Sequence, residues 1–241
     1  MDLLRYVFLI LIGAGAGFVQ RVSGFGLGIF AMIFLPHLLP SHTAAAAVSS
    51  LFACATVTYN AIRYRKDIVF KTALPMVCSA LISIPVAVHF SSIIAGDVFK
   101  ILLGIVLIAL SIYFFFFNKR IVIKPTFLNG LFAGTLGGTL GGLFSTGGPP
   151  AVLYLSSATS SNITYFATIQ FYFCFTNLYA TTIRIANGII DFQILFYAII
   201  GMIGCLLGDF IGRSVFNKLD SNKLKNIIYI GMMISGMVMF F

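Results

Sequence analysis

The chain has 241 residues, 60% of them hydrophobic and only 9% charged, with a mean hydropathy of +1.06. That composition excludes an ordinary soluble domain, and the apolar runs of about 20 residues between the few charges are long enough to cross a hydrocarbon core of roughly 30 Å. A net charge of +9 would suggest nucleic acid in a soluble protein; here the lysines and arginines fall in short loops, where they set topology, and no nucleic-acid partner is expected.

The first apolar segment, Leu3–Phe18, is 16 residues and as a helix reaches about 24 Å. Arg5 ahead of an apolar run, with small residues after that run, gives Met1–Gly17 the outline of a signal peptide. The second half of the chain carries a counterpart that cannot be a signal, so the segment is read as structure. It is followed by Gln20-Arg21-Val22-Ser23-Gly24-Phe25-Gly26, where polar residues and glycines break the apolar run. Leu27–Leu39 resumes it for about 20 Å. Neither piece spans a bilayer alone, and together they read as a re-entrant hairpin over 3–39. Three uninterrupted helices follow at about 42–62, 70–90 and 98–117. The continuous run Ile101–Phe117 also rules out a membrane barrel, which needs alternation of polar and apolar residues.

A short polar linker, 118–126, holds Lys119, Arg120 and Lys124. Beyond it the pattern returns at an offset of about 120–124 residues. Leu131–Leu155 carries Gly-Gly-Thr-Leu-Gly-Gly and then Ser-Thr-Gly-Gly-Pro-Pro, giving a second hairpin over 127–157. Helices at about 161–183, 192–212 and 222–241 complete the half. Asp191-Phe-Gln-Ile opens the middle helix as Asp67-Ile-Val-Phe opens its counterpart. The expected fold is thus an all-α polytopic membrane protein with two repeats, 1–117 and 127–241, each a broken helical hairpin plus three transmembrane helices.

Charge tests the hairpins. If both turn back, one side of the membrane holds Arg63, Arg65, Lys66, Lys71, Lys119, Arg120, Lys124, Arg213, Lys218, Lys223 and Lys225, eleven cations against Arg5, Lys100 and Arg184 on the other. If each broken segment crosses instead, the division is nine against five. The positive-inside rule favours the hairpins, with the linker and most basic loops cytoplasmic and both termini outside. Three crossings per half make the repeats inverted, a transporter signature whose site lies near the midplane where the breaks meet.

Irregular backbone at membrane depth is tolerated where it is buried in protein or lines a wet cavity. The half-helix after each break aims its unpaired N–H groups and positive dipole end inward, and two such ends facing each other make an anion site. Pro149-Pro150 suits a first helical turn. The candidate binding residues are Gln20, Arg21, Ser23, Gly24 and Gly26 in the first break and Ser145, Thr146, Gly147, Gly148 and Pro149 in the second. Gln170 and Asn177, two turns apart on one helix face, join them as site or as helix-to-helix bonds. Arg21 at depth costs on the order of 2.5–3.5 kcal/mol and needs a carboxylate, backbone carbonyls or an anionic substrate; with no glutamate in the chain, substrate is the preferred reading. Gly13, Gly15, Gly17, Gly134, Gly137 and Gly138 read as helix-packing positions. Tyr59 and Asn60 read as bonds between helices, and Asp209 with Arg213 as an i,i+4 pair. Cys54, Cys78, Cys174 and Cys205 show no metal or redox spacing, so no metal or cofactor is expected.

The paired segments Val-Ser-Gly-Phe-Gly-Leu-Gly and Leu-Gly-Gly-Leu-Phe-Ser-Thr-Gly-Gly-Pro-Pro-Ala-Val-Leu-Tyr-Leu resemble the TauE/SafE sulfite exporter family across nearly the whole chain. The resemblance implies a bacterial-type inner-membrane transporter of sulfite, sulfonates such as sulfoacetate or related oxyanions. Its motif falls on Ser23, Gly24, Gly26, Ser145, Thr146, Gly147, Gly148 and Pro149. Many relatives are richer in glycine where this chain has Gln20-Arg21-Val22. The leading expectation is a secondary transporter of a small anion in the cell (inner or plasma) membrane, working by alternating access, with protons as a candidate coupling ion. An anion channel on the same helix ends is the alternative. An intramembrane enzyme lacks positioned acid and base groups.

Overall fold

The computed structural model describes residues 2–117, 123–215, 230 and 233–240. These form helices α1 (Asp2–Ser23), α2 (Leu27–Leu38), α3 (His42–Arg63), α4 (Phe70–Ile93), α5 (Gly96–Phe117), α6 (Phe127–Phe144), α7 (Gly148–Ala158), α8 (Asn162–Ala186) and α9 (Phe192–Val215), with a 3₁₀ turn at Arg65–Asp67. Residues 233–238 are also helical, but most of the expected helix 222–241, and 118–122 of the linker, lie outside the described residues.

Local chemistry explains the boundaries. Ser41 and Ser161, 120 residues apart, cap α3 and α8 by accepting from the amides of Ala44 and Thr164, the ordinary N-cap bond to N3. Asp191 accepts from the Ile194 amide at 2.7 Å and opens α9. α1, α3, α4, α5, α6 and α9 are long and apolar enough to cross a membrane, and the lipid-type exposure of residues such as Ile82, Leu128, Phe132 and Phe210 fits a bilayer rather than water. α8 has the length, at 25 residues, but falls short on hydropathy because it carries Gln170, Asn177, Arg184 and a row of threonines.

The first arm differs from the sequence expectation. α1 does not end near Phe18 but runs on through Gln20, Arg21 and Ser23, so its 22 residues measure about 33 Å. The polar side chains did not terminate it because Gln20 and Arg21 find partners on α8 and α3, while the Ser23 hydroxyl bonds to carbonyls of its own turn. The break itself is Gly24-Phe25-Gly26, with φ of 79° at Gly24 and 96° at Gly26, backbone that glycine adopts without a Cβ penalty. α2 then folds back along α1: Phe30 lies against Gly15, and Phe34, His37 and Leu38 share a groove with Phe8, Leu11 and Ile12. α7 folds back along α6 likewise, the Tyr154 hydroxyl donating to the Thr126 carbonyl at 3.1 Å.

The two halves pack reciprocally. α1 of the first lies along α9 of the second, and α6 of the second lies along α4 of the first, the two most extensive helix contacts among the described residues. Both pairs are parallel and in glycine register. A Cβ on Gly13 would lie 2.0 Å from the Gly201 carbonyl oxygen, one on Gly17 2.0 Å from that of Cys205, and one on Gly208 1.9 Å from that of Ala14. On the other pair, a Cβ on Gly134 would lie 2.2 Å from the Met76 carbonyl oxygen and one on Gly138 2.8 Å from the Ala80 Cα. Small residues let backbones approach this closely, which is how helices associate in lipid. Gly15 and Gly137 differ: they face the Phe30 ring and the Tyr172 hydroxyl.

Candidate anion-binding site

The two breaks touch. A Cβ on Gly28, in the first turn of α2, would lie 1.8 Å from the Ser145 carbonyl oxygen, and one on Gly148 would meet the Phe25 ring at 3.4 Å. Between them is a cavity of about 40 Å³ walled by the first turn of α2 (Gly26–Ile29), the start of α7 (Gly147 and Gly148), and by Gln20, Ser145, Thr146, Thr176 and Asn177. At roughly 10–15 Å³ per water, that volume takes a few waters or a compact oxyanion. Its apolar walls include Val57, Ile84, Tyr172 and Phe173.

Both half-helices present their N-termini here, with unequal donors. The Leu27 amide is taken by Gln20 Oε1 at 3.3 Å, while Gly28 and Ile29 are first-turn amides with no intrahelical acceptor. Pro149 and Pro150 carry no N–H, so α7 contributes the Gly148 amide and its dipole rather than a row of donors. The Thr146 side chain adds a hydroxyl. It is 1% exposed, and its Oγ1 has no hydrogen-bond partner, a costly arrangement for a buried polar atom unless a ligand completes it.

Gln20, Gly26, Ser145, Thr146, Gly147, Gly148 and Asn177 therefore share this cavity. The other expected residues lie elsewhere. The Ser23 hydroxyl reaches the carbonyls of Val19 at 2.7 Å and Phe25 at 2.5 Å, so its single proton is used inside the turn. Gln170 donates to the Gly24 carbonyl at 2.9 Å and accepts from Gln20 at 3.2 Å, pinning the first break to α8. Pro149 is buried in the first turn of α7 outside the lining. Asn177 donates to the Phe173 carbonyl one turn back, at 2.9 Å, while lining the cavity.

Arg21 is 8% exposed and also lies outside the cavity lining. It donates to Asn60 Oδ1 at 3.0 Å and to the Tyr64 hydroxyl at 2.9 Å, and its guanidinium lies over the Tyr64 and Phe166 rings. Asn60 in turn donates to Asp209 at 3.2 Å, and Asp209 holds Arg213 at 2.6 Å, the one salt bridge among the described residues. The compensation for Arg21 thus comes from an amide, a phenol and two rings, drawn together at the ends of α1, α3 and α9. Sequence reasoning assigned Arg184 to a loop. It is instead 1% exposed and donates to Ser50 Oγ at 2.5 Å and to the carbonyls of Gly141 and Gly142 at 3.2 and 2.8 Å. The signal was its place one turn after Ala180 on a helix rich in polar residues.

The described residues are helical throughout their regular structure, with six apolar spans and a cavity between two helix N-termini, the architecture of a multi-pass membrane protein. The chain matches the sulfite exporter TauE/SafE family over residues 9–239 and is a member of it. No curated protein and no solved structure matches it significantly.

Proposed function

We propose that the protein is a secondary transporter that moves a compact oxyanion, sulfite or a small organosulfonate, by alternating access around the cavity between α2 and α7. The observation that carries the reading is the buried, unpartnered Thr146 hydroxyl in a cavity flanked by two helix N-termini. Such a site offers donors and positive dipole ends without a carboxylate, which suits an acceptor-only ligand. The Gly28 and Ile29 amides, the Gly148 amide, Thr146, Ser145 and Asn177 bind the anion. Gln20, Gln170, Ser23, Gly24 and Gly26 hold the first break, Gly147 and Pro149 shape the second, and Arg21 braces the ends of α1 and α3.

An inverted arrangement of the halves is supported by the reciprocal parallel packing of α1 on α9 and α6 on α4, and by hairpins that fold back at opposite ends of the molecule. On this reading both hairpins turn back within the bilayer even though α1 and α6 have the length of a span, the excess of basic residues assigns the linker to the cytoplasmic side of the inner membrane, and protons are the candidate coupling ion. The test is sulfite flux into proteoliposomes. The reading predicts saturable transport that a second anion competes for, and flux that rises linearly with concentration would give the site to a channel.

A further inference from the structure

Arg184 heads the fully buried side chains by volume among the described residues. All the partners found for its guanidinium are neutral: Ser50 Oγ and the carbonyls of Gly141 and Gly142. A guanidinium stays protonated in a protein, so a positive charge is held in the interior with no counter-ion among the described residues, an arrangement that desolvation makes costly. The charge sits behind the cavity wall. Gly141 lines the cavity, as does Ala180, one turn before Arg184 on the same face of α8. Ser50 Oγ lies 2.9 Å from Ser145 Oγ, and Ser145 lines the cavity too.

Arg184 can only donate, so Ser50 accepts from it. With Ser145 Oγ 2.9 Å away, the arrangement that uses the proton of each hydroxyl has Ser50 donating to Ser145 and leaves the Ser145 proton for a ligand in the cavity. We propose that Arg184 is a positioning residue that makes Ser145 an obligate donor and supplies the missing positive charge, so that the cavity selects a deprotonated oxyanion over its neutral acid. This rests on the anion-transport reading above and adds the charge that the two helix dipoles alone do not provide. A substrate anion is then the counter-ion that Arg184 lacks.

The decisive variant is Ser50→Asp, which gives the guanidinium an internal counter-ion and draws the Ser145 proton away from the cavity. Thermal melting of the purified protein in detergent, titrated with sodium sulfite and with methanesulfonate, reads both effects. Ser50→Asp should melt at or above the wild-type temperature without ligand, while its sulfite affinity falls about tenfold or more, as when one member of a buried charge pair loses its partner. Arg184→Gln, where it folds, should lose affinity to the same extent, and Arg184→Lys should lose less. Wild-type sulfite affinity in Ser50→Asp would overturn the assignment of Arg184 alone. A wild-type protein that no anion stabilises would overturn the transport reading and this inference with it.

Discussion

At the scale of single residues, Thr146 and Arg21 make opposite predictions. The Thr146 hydroxyl is buried without a partner, and an unsatisfied buried group of this kind costs about 1–3 kcal/mol. Replacing it with valine, which keeps the shape, should leave the ligand-free protein as stable or more stable. It should also weaken anion binding about tenfold, the loss of one hydrogen bond to a charged group. Melting curves with and without sulfite separate the two effects, and equal affinity in the two proteins would remove Thr146 from the site. Arg21 is committed to Asn60 and Tyr64. Arg21→Leu should destabilise by about 1.5–3 kcal/mol, the range for hydrogen bonds to a charged group, without changing the affinity of the protein that folds. Intact stability with abolished binding would return Arg21 to the substrate.

At the scale of helices, the glycine registers carry the packing. Gly208→Ala would push a methyl carbon to 1.9 Å from the Ala14 carbonyl oxygen, so α9 must part from α1. The same change at Gly96, where nothing lies within 4 Å, should stay within about ±0.5 kcal/mol. The yield of monodisperse protein and its melting temperature check both. The packing positions Gly13, Gly17, Gly134 and Gly138 and the two glycine breaks were legible because each is a local signal, a small residue at helical spacing or a turn residue between apolar runs. The length of α1 was not. Gln20 and Arg21 look like a helix end in one dimension, and only partners 39 and 150 residues away, Asn60 and Gln170, let the helix continue. Arg184 was misread for the same reason: its three acceptors come from α3 and α6, and no local pattern announces them. Seven of the twelve expected site residues line the cavity, namely Gln20, Gly26, Ser145, Thr146, Gly147, Gly148 and Asn177. The remainder hold the breaks and braces around it.

At the scale of the whole molecule, the question is which way each half enters the bilayer, and the turns after the hairpins decide it. If α1–α2 and α6–α7 both turn back, the turn at Ser41 lies on the outer side and the turn at Ser160 on the inner side. If each broken segment crosses instead, both turns fall on the same side. The fold-back contacts favour the first arrangement, because Leu38 ends beside Phe8 and Tyr154 returns to Thr126. Ser41 and Ser160 are both exposed, so cysteines placed there are open to reagent, and replacing Cys54, Cys78, Cys174 and Cys205 clears the background. A membrane-impermeant maleimide added to intact cells should then label Ser41→Cys and spare Ser160→Cys until the membrane is opened. Equal labelling of the two would mean that the halves are not inverted. The cavity would then open to one side by a route other than the exchange of two matched hairpins, and alternating access built on their symmetry would have to be abandoned.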